Sequence, residues 1–199
     1  MRPTVKKRFD IRTRAGALIG VAASVILIAG CGSSSTKTGT VTAGAYVGQV
    51  CTSVASWLHN IQSQAGNLET RLGARPSPTT GKRALEEFIS GALTDTESAT
   101  SAMRGAGVPQ VANGQKIATT LVAAFEHAQG TLKQLKSKTA ALSTKNASVF
   151  SSEAKQIASS VQALPLTLGS GVAGLNSGEL SKAASESSTC KSVGARGKS

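Results

Sequence analysis

Residues 46–72 read YVGQVCTSVASWLHNIQSQAGNLETRL, and this stretch decides the fold. Its apolar positions are Val47, Val50, Val54, Trp57, Leu58, Ile61, Ala65, Leu68 and Leu72. They recur at steps of three and four, which is one stripe of an α-helix and not the alternation of a strand. The spacing predicts a helix over 46–72, with Cys51 at the edge of the stripe. Trp57 falls on the stripe and reads as a core anchor in preference to a ligand platform.

The same period continues beyond a loop marked by Arg75-Pro76-Ser77-Pro78. Ser77 with Pro78, or Thr80, opens a second helix. Its stripe is Leu85, Phe88, Ile89, Ala92, Leu93, Ala99 and Met103, and Gly105 and Gly107 end it. Pro109 marks a new start, and a third helix is expected over about 111–142 through Ile117, Leu121, Phe125, Ala128, Leu132 and Leu135. Asn146 caps a fourth, which carries Val149, Phe150, Ala154, Ile157 and Val161 and ends or kinks at Leu164-Pro165. Thr167 to Gly171 is loop-like, and Asn176 with Glu179 resembles a capping box. It opens a short last helix from Gly178 to about Thr189 that delivers Cys190. No segment alternates like a strand. The expectation is an all-α, antiparallel four-helix bundle with a short C-terminal fifth helix, occupying 46–191. Residues 192–199 read as a disordered tail.

The N-terminus has a different character. Arg2, Lys6, Lys7, Arg8, Arg12 and Arg14, with Asp10 as the lone acid, precede an apolar run from Ala15 to Gly30. Those 16 residues fall short of the roughly 20 that span a bilayer. A basic segment followed by a short apolar one is the pattern of an export signal. Lys7-Arg8-Phe9 lacks the arginine pair of the twin-arginine route. An uncleaved anchor, or an ordinary signal with a chance cysteine, is the competing reading. The run closes on Ile28-Ala29-Gly30-Cys31, where small residues at Ala29 and Gly30 fit a peptidase cleft beside the Cys31 thiol.

Here the chain resembles bacterial lipoproteins of the Sec-exported, lipobox type. The resemblance implies a signal peptide at 1–30, cleavage between Gly30 and Cys31, and a diacylglyceryl group on Cys31. Two acyl chains moor a protein stably where one does so only marginally. Residues 31–45 then form a lipidated tether, its small polar run 32–44 having an r.m.s. reach of about 20 Å. The expected location is the extracytoplasmic face of the cell membrane. Over its wider length the chain looks like the small Ala/Ser/Thr-rich lipoproteins of actinobacteria. The Cys51-to-Trp57 spacing carries this, with the closing run Leu180-Ser181-Lys182-Ala183-Ala184 that leads to Cys190-Lys191. It implies location and fold and little about activity.

Besides Cys31 the chain has two cysteines, Cys51 and Cys190. An even pair outside the cytoplasm reads as a disulfide joining the first structured segment to the last. Two free thiols are the alternative; neither cysteine has a ligand neighbour at zinc-finger spacing. The whole chain carries 22 Lys and Arg against 10 Asp and Glu. Residues 1–30 hold six of those bases and one acid, which leaves 16 against nine and a net charge of +7. Lys133, Lys136, Lys138 and Lys145, with Lys191, Arg196 and Lys198, form either a solvated face and a frayed end or an attraction to anionic lipid and wall polymers. Nucleic acid is a poor partner for an exported chain with few aromatic residues.

Catalytic constellations are sparse. His59 has no acid at helical ligand spacing, and Glu126 beside His127 points to another face. No serine lies in a G-x-S-x-G elbow, and no G-K-[ST] follows Gly169-Ser170-Gly171. Glu86-Glu87 read as first-turn acids of the second helix. Asn146-Ala147-Ser148 matches a glycosylation acceptor, discounted for a bacterial chain. No metal, cofactor or catalytic residue is expected. The leading expectation is a non-catalytic envelope interaction or structural module held by its anchor, whose partner is an envelope protein or an anionic surface. The alternatives are a small-ligand or sensing module near Trp57, Phe88 and Phe125 and, further off, a hydrolase.

Overall fold

The computed structural model describes residues 39–72, 77–164, 168 and 178–196. The signal segment, the lipobox with Gly30 and Cys31, the tether up to residue 38, Pro165, Gly171, Asn176 and the last three residues lie outside them. The described fold is all-α, with one minimal strand pair. In chain order it comprises β1 (Thr40–Val41), α1 (Ala43–Leu72), α2 (Pro78–Gly105), β2 (Val108–Pro109), α3 (Gly114–Ala141), α4 (Ala147–Gln162), α5 (Gly178–Glu186) and α6 (Ser188–Arg196).

Local chemistry sets most boundaries. Ser77 caps α2, its Oγ accepting from the Thr80 amide at 3.2 Å, and Pro78 occupies the first turn where its missing N–H costs nothing. Asn146 caps α4 by accepting from the Ser148 and Val149 amides at 3.0 and 3.1 Å. Lys82 on α2 closes the other end of α3, donating to the Ala140 and Leu142 carbonyls at 2.6 and 3.1 Å. A cation on terminal carbonyls satisfies acceptors that the helix itself leaves open.

The three long helices run antiparallel in sequence. Trp57 meets Thr96 and Arg71 meets Glu87 between α1 and α2. Arg104 meets Glu126, Gln129 meets Glu97 and Lys82 meets Ala140 between α2 and α3. Their stripes enclose one core holding Val47, Val50, Trp57, Leu85, Phe88, Ile89, Leu121, Phe125 and Leu132. Trp57 and Phe125 meet edge to face at 5.8 Å, the arrangement that sets a positive ring edge on a negative face. Thr96, Thr100 and Thr139 are buried too, and each hydroxyl returns a hydrogen bond to the carbonyl four residues back.

The structure departs from the sequence expectations in five places. First, α4 has 16 residues against 28 for α3 and packs on α2 and α3, whereas α5 and α6 pack on α1. The fourth helix stands where it was expected, capped by Asn146, but it leans on two of the long helices while the two C-terminal pieces lean on the third. Second, the short last helix is two helices broken at Ser187, and Cys190 lies inside the second. The tail expected to be disordered from 192 is helical through Arg196, because the bond at Cys190 holds that turn on α1. Third, the tether does not run free to residue 45: α1 begins at Ala43, and Thr40–Val41 pair in parallel with Val108–Pro109. Fourth, α3 starts at Gly114 instead of near Val111, after Asn113 in the left-handed region at φ 59°. Fifth, Glu86 and Glu87 lie in the third turn of α2, not the first, since that helix begins at Pro78; Glu87 pairs with Arg71 of α1.

Two glycines make the β1–β2 corner possible. Gly107 has φ +78°, and a Cβ there would stand 2.7 Å from the Gly39 carbonyl oxygen. A Cβ on Gly114 would stand 2.0 Å from the Pro109 oxygen. Only glycine lets the two backbones approach so closely.

Candidate functional site

Cys51 and Cys190 form a disulfide, with a Cα separation of 5.1 Å and a sequence separation of 139. Cys51 is buried on α1 and Cys190 is half-buried on α6. The bond lies two turns into α1 from the corner where β1 enters. Both ends of the described domain are thereby fastened near one pole, by a covalent bond and by the β1–β2 pair.

The reactive side chains singled out in the sequence are dispersed. His59 on α1 and His127 on α3 are exposed. Among the described residues no three His, Cys, Asp or Glu side chains are grouped to hold a metal ion. Trp57 is buried, and its Nε1 donates to the Thr96 hydroxyl at 3.0 Å, which saturates the indole inside the core. Trp57, Phe88 and Phe125 all belong to that core, and Trp57 and Phe88 also border grooves of about 230 and 160 Å³ between α1 and α2. Asn146 spends its carbonyl oxygen on the cap of α4. Among the described residues no helix is long and apolar enough to cross a membrane.

Sequence reasoning missed a polar clamp between α1 and α2. Asn60 Nδ2 donates to Asp95 Oδ1 at 3.0 Å, and Gln64 Nε2 donates to Asp95 Oδ2. Gln64 Oε1 is buried without a hydrogen-bond partner among the described residues. It sits over Gly91, where a Cβ would lie 2.3 Å from it. A glycine in mid-helix costs about 1 kcal/mol against alanine, and here it makes the room that Gln64 occupies.

The cavities lie along the gaps between helices. A groove of about 230 Å³ beside Asn60 and Asp95 runs along the outside of α1 and α2. A second, of about 350 Å³, separates α3 from α4 and carries Lys138, Glu153 and Gln156. A third, of about 690 Å³, is bordered by Thr40, Gln110, Gln115 and Glu179 at the β1–β2 corner. The fourth, of about 340 Å³, lies between α1, α2 and α4; Leu68, Leu85 and Phe150 line it with Pro78, Ala154 and Lys155. It is the most apolar of the four and follows from α4 leaning on α2 and α3, away from α1. No protein-family model matches the chain, and no curated protein or solved structure matches it.

Proposed function

We propose that this chain is an extracytoplasmic lipoprotein, held to the cell membrane by a diacylglyceryl group on Cys31. Its helical domain acts there as a non-catalytic envelope interaction or structural module. The Cys51–Cys190 bond is the observation that carries the reading. Such a bond persists in oxidising compartments and is rare where thiols are kept reduced, so it supports export. The basic segment, the 16-residue apolar run and Ile28-Ala29-Gly30-Cys31 supply the route and the attachment point. Long helices joined through one core and stapled at one pole suit a module that binds or braces.

Intact-mass spectrometry of the membrane fraction tests the anchor. The expected species begins at Cys31 and carries the diacylglyceryl mass; a product retaining residues 1–30, or a bare Cys31 thiol, refutes it. Cross-linking in native envelope followed by pull-down tests the module. Recovery of a defined partner is the expected result, and recovery of nothing above background refutes the interaction reading.

A further inference from the structure

We propose that the cleft between α1, α2 and α4 binds a single-chain amphiphile: a medium-length acyl tail carrying an anionic head. The tail lies over Leu68, Leu85 and Phe150, and the head pairs with Lys155. The cleft holds about 340 Å³. At about 30 Å³ per water-sized group, that is the volume of roughly eleven such groups, comparable to the bulk of a medium acyl chain. Leu85 and Phe150 form a floor that is already buried, and Leu68 is half-buried at the wall. An apolar tail entering this space removes the remaining apolar surface from water, which is the driving force for such sites.

Charge selects the head. Lys155 lines the cleft, is exposed, and takes part in none of the ion pairs among the described residues. The nearest acid on its own helix, Glu153, lines the separate gap between α3 and α4. The rim therefore presents a cation without a neutralising carboxylate, beside an apolar interior. That is complementary to a carboxylate or sulfate on an alkyl chain and opposed to an alkylammonium. Position argues for a free ligand. Leu68 lies 25 residues along α1 from Ala43, about 37 Å at 1.5 Å per residue, so the cleft is at the opposite pole from the end where the tether joins.

The test uses the full chain carrying Cys31→Ser, oxidised and free of detergent, titrated with dodecanoate below its micellar concentration. Saturable one-to-one shifts in the NMR signals of Ala154, Ala158 and Leu85 are expected. Dodecyltrimethylammonium, with the same tail and the opposite charge, is expected to bind about tenfold more weakly. Ala154→Phe, which fills the cleft, is expected to weaken dodecanoate by about tenfold or more. Lys155→Glu is expected to reverse the preference between the two heads, and this exposed substitution keeps the test decisive should Ala154→Phe disturb packing. The proposal is overturned by the absence of saturable shifts, by shifts confined to another face, or by indifference to both substitutions. It is equally overturned if phosphatidylglycerol vesicles alone reproduce the shifts, since the surface would then belong to a bilayer.

Discussion

Replacing Cys51 and Cys190 together by alanine should cost this domain much of its stability. The bond closes a loop of 139 residues. In the chain-entropy treatment, opening such a loop returns about 17 cal/mol/K to the unfolded chain, or about 5 kcal/mol at 25 °C. Domains of this size commonly hold about 5–15 kcal/mol in all. Packing offers little substitute at the C-terminal end, because no residue from Ser188 to Val193 is buried. Urea denaturation measures the effect. With a slope of about 2 kcal/mol/M, the midpoint should fall by about 2–3 M, and the slope should rise because the unlinked unfolded chain is more expanded. A midpoint change below about 0.5 M would refute the reasoning: it would mean that α6 detaches before global unfolding or that the unfolded chain gains no freedom from the loss of the link.

Other expectations are independent of that one. Trp57→Phe deletes the bond to Thr96 inside the core and should cost about 1–2 kcal/mol; a double-mutant cycle with Thr96→Val isolates the coupling. Gly107→Ala forces a side chain against the Gly39 carbonyl at positive φ and should cost about 1–2 kcal/mol in backbone conformation alone, with faster amide exchange at Val108 and Gln110 as its local sign. Burial pushes the Tyr46 phenol up from 10.0 to about 12. The folded state therefore keeps a proton between pH 10 and 12 that the unfolded chain has released. Stability is whole below pH 10 and falls as pH rises through 12, by up to about 2–3 kcal/mol at 1.36 kcal/mol per unit. Tyr46→Phe should remove that part of the pH dependence, and phenolate absorbance reads the group directly because the chain has one tyrosine.

The long helices were legible because each buries a continuous stripe, and a period of three and four repeats many times over 28 or 30 residues. Caps at Ser77 and Asn146 were legible for the same reason that they work: a short polar side chain ahead of an apolar run has one favourable use. The disulfide was legible from cysteine parity once export was read from the N-terminus. The β1–β2 pair was not, since two residues per strand carry no period and the partners lie 68 positions apart. Nor was the Asp95 clamp, because Asn60, Gln64 and Asp95 look like any solvated helix face until α1 and α2 are set side by side. The helical turn beyond residue 192 was not legible, since short polar residues at a chain end read as a frayed tail, while the covalent bond at Cys190 holds that turn on α1. The cleft beside Phe150 depends on which neighbour α4 leans toward, a choice between surfaces that no single stripe encodes.

The parallel pair at Thr40–Val41 has a mechanical meaning. Val108 and Gln110 donate to the carbonyls of Gly39 and Val41 at 3.3 and 2.8 Å, two bonds aligned side by side across the incoming chain. Tension arriving along residue 39 loads both together, in shear, before any of it reaches the first turn of α1. The two bonds join the incoming strand to the segment between α2 and α3, so a pull on residue 39 would meet that corner ahead of the helical hydrogen bonds of α1.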